Sequence, residues 1–358
     1  MDSRSHRSEV RELWIELQSR STTSFFLSWG WISVWLDTLP ESAKVDFVLA
    51  RKDGEPYCCF FLGVRKGLRH WFFYKTRAYL NETGNEELDD LTIEYNMVLG
   101  ATEELVWSEL LASRLFHDIE EMYCNNITDN TFAQLSGECE VFENRSSHLP
   151  SYFVDLKKIR ESGKSHLAFL SSNKRHQIQK SLSYYEGADS IEIREAENVE
   201  EALASMDQLS KLHQARWNKK GVSGSFANRY FQSFHKKLIE RRFLDGEIQI
   251  LEFSNAKGAI GYLYNFVQGK DVFFYQSGFE FESGQGNVAR PGIVCHHLAI
   301  EYNLAKGKNI YNFLGGDSQY KRSLSTDKDK LHSILVVRNN FKWKIEKALL
   351  ALKKALKK

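Results

Sequence analysis

Residues 259–316 read AIGYLYNFVQGKDVFFYQSGFEFESGQGNVARPGIVCHHLAIEYNLAKGKNIYNFLGG. Two adjacent strand-like runs (259–268 and 271–280) are followed by a glycine-rich loop, a helix over 292–306 and the strand IYNFLGG (310–316). A succession of strands, crossover helix and further strand is typical of a mixed sheet flanked by helices. The stretch therefore predicts an α/β fold with a mixed (α+β) sheet.

The loop SGQGNVARPG (283–292) has the residues that an anion site needs. Glycines let the backbone approach a ligand closely, and the first turn of the next helix offers N–H groups and the positive end of its dipole. Pro291 suits the first helical position, where its missing N–H costs nothing. The loop favours a pyrophosphate site, although glycines that merely turn the chain would give the same pattern.

The remaining chain repeats this order of elements without an alignable sequence repeat. The first half predicts a helix near 8–18, strands at 45–51, 57–64 and 69–75, a helix near 101–116 and a strand at 119–127. The second half predicts helices at 165–183, 198–218 and 228–242, a strand at 248–254 and, after the quoted stretch, a strand at 331–339. Hairpin turns are expected at Asp53–Gly54 and Lys66–Gly67. Segment 140–165 is expected to connect the halves.

The net charge, the cysteines and the apolar segments indicate which compartment and which partners to expect. The net charge is +1, and residues 341–358 carry a local charge of +6, so the first 340 residues sum to −5. The five cysteines form no CxxC pair, so neither a metal site nor a disulfide framework is expected, and a reducing compartment fits. The N-terminus lacks the apolar core of a signal peptide, and the aromatic stretch 25–36 is too short to span a bilayer. We therefore expect a cytoplasmic protein, with buried aromatic packing at 25–36.

Four segments together resemble one family. They are LHQARWNKKGVSGSFANRYFQSFH (212–235), FFYQSGFE (273–280), ARPGIVCHHLAIEYNLAKG (289–307) and IYNFLGGDSQYKR (310–322). In order and spacing they resemble the CelD/BcsL-like acetyltransferases, which belong to the GNAT superfamily and are related to the FemAB enzymes. The resemblance covers about 165–322 and is fainter in the first half.

The resemblance implies tandem GNAT-like domains and an acyl-CoA donor, with acetyl-CoA as the expected one.

 The expected domains are a non-catalytic GNAT-like domain over 1–150, an acyltransferase domain over 151–339 and a basic helix over 340–358. In such enzymes the pantetheine arm pairs with a splayed strand, which we expect within 259–268. The cofactor-binding residues that the resemblance implies are Gln285, Gly286, Arg290 and Gly292, and they only approximate the usual signature loop.

Acyl transfer needs a base, a polarised carbonyl and a proton for the leaving thiolate. No Ser-His-Asp or Cys-His pattern is present, so direct transfer is expected. The catalytic candidates Asp317, Tyr320 and Lys321 follow the carboxyl end of a strand, where open sheets place ligand sites, although a turn with an Asp cap is the alternative. Tyr320 can protonate a departing thiolate. His213 and Tyr275 are further catalytic candidates, with core packing as the alternative for Tyr275.

Substrate-binding candidates lie on two helices and a strand. His213 and Arg216 are three residues apart on one helical face, where they can bind the acceptor or pack against Trp217. Arg175 and His176 belong to a basic cluster that can meet an anionic substrate or form a solvated face. Gln276 is the last substrate-binding candidate. It follows Tyr275 on a strand, so the two side chains are expected on opposite faces. Adjacent His296 and His297 cannot share a helix face, so we expect no metal pair, with one ring packed and the other exposed.

The C-terminal segment 340–358 predicts an amphipathic helix. Its apolar stripe consists of Phe341, Ile345, Leu349, Leu352 and Leu356, and lysines occupy the other positions. Such a helix can lie on the inner face of an anionic membrane, or it can dock its stripe on the protein.

The leading hypothesis is an acyl-CoA-dependent transferase that acetylates an amine or hydroxyl of a sugar or lipid-linked cell-envelope polysaccharide precursor. A FemAB-like aminoacyltransferase that uses charged tRNA is the first alternative, but the charge of −5 over residues 1–340 offers little for nucleic acid. A non-catalytic GNAT-like binding module is the second alternative. No metal is expected in any of them.

Overall fold

The computed structural model describes residues 1–69, 73–101, 105–136, 142–187, 190–281 and 288–355. The chain divides into two compact units, Met1–His148 with Lys330–Lys358, and Leu149–Asp329. Among the described residues, no helix combines the length and apolarity that crossing a membrane requires.

The α-helices are α1 (Arg7–Ser19), α2 (Trp29–Thr38), α3 (Trp107–Ala112), α4 (Asp129–Leu135), α5 (Leu156–Ser162), α6 (Ser172–Glu186), α7 (Val199–Lys219), α8 (Arg229–Arg242), α9 (Pro291–Ala305), α10 (Gln319–Leu324) and α11 (Phe341–Ala355). The strands are β1 (Val45–Lys52), β2 (Glu55–Arg69), β3 (Phe73–Leu80), β4 (Leu99–Gly100), β5 (Glu121–Ile127), β6 (Phe142–Asp155), β7 (Glu192–Glu195), β8 (Ile248–Asn255), β9 (Gly258–Gln268), β10 (Asp271–Phe279), β11 (Ile310–Gly315) and β12 (Asp327–Arg338).

The sheet of the first unit has the strand order β1–β2–β3–β5–β12. Strands β1, β2 and β3 are antiparallel, β5 is parallel to β3, and β12 is antiparallel to β5. Aromatic side chains fill the core on one face, and Phe25, Phe26 and Trp31 are completely buried. The prediction of buried aromatic packing at 25–36 is therefore confirmed.

The second unit repeats this succession. Strands β8, β9 and β10 are antiparallel, β11 is parallel to β10, and β6 is antiparallel to β11. Strand β7 adds an antiparallel edge next to β8. Helix α9 connects the two parallel strands and buries apolar residues such as Val294 and Ile300 against the sheet. The predicted mixed sheet flanked by helices is confirmed.

One prediction of local structure is wrong. Lys66 and Gly67 lie within β2, paired with Thr76 and Lys75, and do not form a hairpin turn. Segment 140–165 does contain the boundary between the two units, at His148 and Leu149, and its residues form β6 and α5. Strand β6 was missed because its sequence has few apolar residues, and backbone pairing with β11 at Ser151–Asp155 supplies what the local pattern lacks.

The second unit ends earlier than the second predicted domain does. The second predicted domain runs to residue 339, whereas residues 330–358 group with the first unit. The reason is long-range pairing, because β12 is hydrogen-bonded to β5 from His332 to Val337. Local sequence carries no sign of such pairing between distant strands.

Candidate active site

The two parallel strands β10 and β11 of the second unit diverge partway along their length. Their ladder joins Asp271–Phe273 to Ile310–Asn312, and no further pair occurs among the described residues. Strand β10 continues to Phe279 while its other edge stays paired with β9. Beyond this point the described residues of the two strands are not hydrogen-bonded to each other, and a parallel pair that separates in this way leaves room for an extended ligand.

A bulge keeps β11 apart from β10. Leu314 has a left-handed φ of 62°, and the register with β6 shifts between Asn312 and Gly315. The side-chain Oδ1 of Asn312 accepts the N–H of Leu314 at 2.7 Å. The Lys321 ammonium donates to the carbonyl oxygens of Leu314 at 3.2 Å and Gly315 at 2.6 Å. Asn312 and Lys321 thus hold the strained strand end.

The strand predicted to splay lies elsewhere. We expected it within 259–268, which is β9, and this was wrong because both edges of β9 are hydrogen-bonded, one to β8 and the other to β10. The mistake has a physical cause, since a buried apolar strand has the same local sequence pattern whether or not its neighbour diverges.

Helix α9 begins beside two cationic side chains. Pro291 occupies its first turn, as predicted, and the N-cap residue Arg290 makes no side-chain capping bond. The Arg290 guanidinium and the Lys174 ammonium both donate to the Oε1 atom of Gln177, at 3.0 and 3.1 Å. Burial, and then the charge of Arg290, lower the pKa of Lys174. Two cations that share one neutral acceptor at a helix N-terminus attract anions strongly. We call this pair, Lys174 and Arg290 at the start of α9, the cationic corner.

Of the other three predicted cofactor-binding residues, one lies within the described part of the chain. Gly292 follows Pro291 in the first turn of α9, and a Cβ atom there would lie 3.1 Å from a ring carbon of Phe279 at the end of β10. Gln285 and Gly286 lie outside the described residues. Helix α6 supports the end of the loop, because the Ser181 hydroxyl donates to the carbonyl of Val288 at 2.8 Å.

The segment after β11 brings Asp317 and Tyr320 close to β6 and α9. Asp317 is exposed, accepts the Tyr152 hydroxyl at 3.1 Å and forms an ion pair with Arg322. The Tyr320 ring stacks on His296 with 5.2 Å between centroids and 13° between planes. Burial raises the pKa of Tyr320 well above its usual range, so its phenol oxygen holds its proton at neutral pH.

The His296–His297 prediction is wrong in one respect, because both rings are buried. Helix α9 is covered on two sides: His296 meets the Tyr311 hydroxyl at 3.1 Å, and His297 meets His166. Burial lowers the pKa of His296 to about 3, which keeps this ring neutral beneath Tyr320.

His213 is held in a packed arrangement on α7. Its Nε2 atom accepts the indole N–H of Trp217 at 2.9 Å, and burial lowers its pKa to about 4. Since that lone pair is already engaged, Nε2 cannot take a proton from an acceptor while the bond persists. Arg216 is exposed on the same helix, with its guanidinium 4.4 Å from the ring centre of Phe281. This geometry favours packing for His213 and Trp217, and leaves Arg216 as the substrate-binding candidate of the three.

Tyr275 and Gln276 lie where β10 changes register against β9. The pairing passes from Phe274 to Gln276, so Tyr275 is the extra residue of a bulge and strict alternation fails there. The Tyr275 ring packs 4.7 Å from Phe266 and 4.9 Å from His235 between ring centres, while Gln276 is half-buried. Tyr275 therefore belongs to an aromatic cluster, the alternative given for it above.

The basic cluster on α6 divides into two parts. Arg175 donates to the carbonyl oxygen of Leu170 at 2.7 Å, and His176 is exposed. The member closest to the start of α9 is Lys174. Sequence reasoning missed Tyr152, Gln177 and Asn312 as parts of this region, since an isolated polar residue on a strand or helix carries no signal of its distant partner.

Comparison with known proteins agrees with this architecture. Residues 172–322 match the family profile described as Acetyltransferase (GNAT) domain. Among curated proteins, none matches this sequence. Several solved structures are similar over nearly the whole chain, at identities so low that the likeness establishes the fold alone.

The first is the C-terminal domain of a protein assigned as a lysylphosphatidylglycerol synthetase from Agrobacterium fabrum, with 12% identity, 98% of this chain and 96% of that chain covered, and a TM-score of 0.53. FemX has 8% identity, coverage of 90% and 95%, and a TM-score of 0.53. L-PGS from Bacillus licheniformis has 11% identity, coverage of 96% and 94%, and a TM-score of 0.50. The chain thus has the mixed α/β fold of these proteins, and its residues 172–322 match the acetyltransferase (GNAT) domain profile.

Proposed function

We propose that the second unit transfers an acyl group, in the first instance acetyl, from acyl-CoA to an amine or hydroxyl of a sugar or cell-envelope polysaccharide precursor. One observation carries the proposal: the gap between β10 and β11 lies next to the start of α9, where Lys174 and Arg290 converge. An extended amide-containing arm fits the gap, and a pyrophosphate fits the cationic corner. Acyl-CoA supplies an activated thioester when it is bound.

The chain's own residues can assist the reaction without a covalent intermediate. The Tyr320 phenol carries its proton at neutral pH and can donate a hydrogen bond to a leaving group, whereas its raised pKa makes complete proton transfer less favourable. Asp317 is exposed on the loop after β11, and it can orient an acceptor hydroxyl or amine. The sugar acceptor and the CelD/BcsL-like subtype rest on the resemblance of the sequence segments.

The first unit offers a poorer site. Its crossover helix α3, between the parallel strands β3 and β5, has only six residues. The corresponding helix α9 has fifteen residues. We therefore assign the reaction to the second unit and a non-catalytic role to the first.

Isothermal titration with acetyl-CoA and with free CoA tests this function. We expect binding by the wild-type chain, and a loss of about tenfold or more when Lys174→Gln or Arg290→Gln removes one cation, because hydrogen bonds to charged groups contribute roughly 1.5–3 kcal/mol. Lys180→Gln, an exposed lysine on the same helix, is the matched control and should bind as the wild type does.

No binding of either ligand by folded protein would contradict the acyl-CoA donor. Binding of charged tRNA instead would favour the FemAB-like alternative, and binding of neither would favour a non-catalytic module. Positive binding would justify a screen of amino-sugar nucleotides and lipid-linked sugars as acceptors.

We also propose that α11 contacts an anionic lipid surface. The helix docks on the first unit through Trp343 and Glu346, both 1% exposed. Its predicted apolar stripe faces elsewhere, with Phe341 77%, Ile345 39% and Leu349 51% exposed. Leu352 and Leu356 fall where no side chain is described. Lysines next to an exposed apolar stripe complement acidic headgroups, at about 1 kcal/mol each near the surface.

Co-sedimentation with lipid vesicles tests the membrane contact. We expect the protein to bind vesicles that contain phosphatidylglycerol, and to be released by high salt because charge attraction is screened. Replacing Phe341 and Ile345 together by serine should weaken binding about tenfold or more. Leu244→Ser removes an apolar side chain that is 84% exposed elsewhere, and should change nothing. Equal binding to vesicles of neutral phosphatidylcholine would refute the charge-dependent contact.

A further inference from the structure

A cluster of potential metal ligands lies on α9 beyond the proposed acyl-CoA corner. His297 and Glu301 are four residues apart on this helix and share a face. His166 begins a short 3-10 helix, His166–Phe169, and meets them there. One ligand atom from each of the three residues lies within 4.8 Å of the other two.

The spacing of the two histidines suits a metal ion. Their Nδ1 atoms are 3.3 Å apart. Two nitrogens that each lie about 2.0–2.1 Å from a tetrahedral zinc ion are separated by roughly 3.3–3.4 Å. The same separation is longer than the usual range for a hydrogen bond. The nitrogens are therefore placed as two ligands of one ion would be.

The second nitrogen of His166 determines its tautomer. Nε2 is 2.8 Å from the carbonyl oxygen of Leu324, which can only accept, so Nε2 carries the proton. In the neutral ring Nδ1 then carries a lone pair, 3.3 Å from the Nδ1 atom of His297. A ligating histidine commonly donates its other N–H to a backbone carbonyl in this way, which fixes the ring orientation.

Burial keeps the cluster ready for a cation. His166 is completely buried and His297 is 5% exposed. Glu301 is half-buried, and one of its oxygens accepts the backbone N–H of His166 at 3.1 Å. Its carboxylate supplies the negative charge that a divalent ion needs.

We propose that His166, His297 and Glu301 form a zinc site with a fourth position for water. Two histidines and one glutamate are a known ligand set for Zn²⁺ with an open position. The ion would tie the 3-10 helix that precedes α6 to the middle of α9, and α6 and the start of α9 carry the cationic corner. The site is independent of the acyl-CoA proposal, since it shares no residue with it.

The test is a zinc titration of chelator-treated, full-length protein against a chromophoric competitor. We expect about one Zn²⁺ per chain, a rise in Tm on zinc addition, and intense visible bands of four-coordinate cobalt when Co²⁺ replaces zinc. Glu301→Gln should weaken zinc binding at least about tenfold while its amide oxygen can still accept the His166 N–H. Glu240→Gln, on the exposed face of α8, is the matched control and should bind zinc as the wild type does.

Two outcomes would overturn the site. One is wild-type protein that binds less than a tenth of an equivalent of zinc, in which case the rings form a metal-free neutral pair. The other is unchanged zinc affinity in a correctly folded Glu301→Gln variant, with a melting curve like that of the wild type without metal. The zinc stoichiometry of the wild-type protein is measured separately. The first outcome can therefore still overturn the site if the Glu301→Gln variant fails to fold.

Discussion

Gly292→Asp is expected to lower the affinity for acetyl-CoA by about 100-fold or more. The new carboxylate would stand in the first turn of α9, next to the cationic corner of Lys174 and Arg290. Two unit negative charges about 5 Å apart repel by on the order of 3 kcal/mol at an effective dielectric constant of 20, which is roughly two decades in affinity. Isothermal titration measures the loss directly.

The matched control is Gly292→Asn, which has the same shape without the charge. Both variants place a Cβ atom 3.1 Å from the Phe279 ring, so any steric effect is common to them. An acidic residue in the first turn also favours the helix dipole, so misfolding is not the expected cause of lost binding. Equal losses in the two variants would show that space, and not charge, excludes the ligand, and would weaken the assignment of a pyrophosphate to this corner.

Lys75→Met is expected to destabilise the first unit by about 3–5 kcal/mol. Lys75 is 2% exposed and lies between two buried carboxylates, with its ammonium 2.9 Å from Glu121 and in contact with Glu346 of α11. Removing the cation leaves both carboxylates buried without their shared partner, and breaking a buried ion pair is far more costly than losing an exposed one. Chemical denaturation measures the change in the free energy of unfolding.

Lys342→Met provides the control for Lys75→Met. It also removes an ammonium near a glutamate, but this lysine is 66% exposed and its distance to Glu120 is 3.5 Å, so a change within about 1 kcal/mol is expected. Adding Glu346→Gln to Lys75→Met should recover part of the lost stability by removing one buried charge. A small effect of Lys75→Met alone would mean that water or rearrangement solvates the carboxylates.

Local patterns predicted elements well where the chain itself supplies the signal. Pro291 at the first turn of α9, the glycine turn at Asp53–Gly54, and the apolar runs of β8, β9 and β10 all follow from residues adjacent in sequence. The amphipathic pattern of the last segment likewise predicted α11. It did not predict its docked face, because Trp343 and Glu346 are buried by partners that include Lys75, about 270 residues earlier in the chain.

The candidate site depended more heavily on distant contacts. Sequence placed Asp317, Tyr320 and Lys321 after a strand, and the structure gave Lys321 a role in holding the bulge of β11. Lys174 and Arg290 come together only because α6 packs beside α9, and their shared partner Gln177 is 113 residues from Arg290. The same holds for His166 and His297, which are 131 residues apart.

The sequence by itself determined the kinds of element, the start of α9, the resemblance to acetyltransferases and the residue types at the end of β11. Helix propensity, turn chemistry and apolar periodicity act over a few neighbouring residues, so they are readable along the chain. Tertiary structure alone decided where β10 and β11 diverge, which cations meet at α9 and which face of α11 is buried. The meeting of the cations and the buried face of α11 depend on the packing of segments that are more than a hundred residues apart, and no local pattern encodes that pairing.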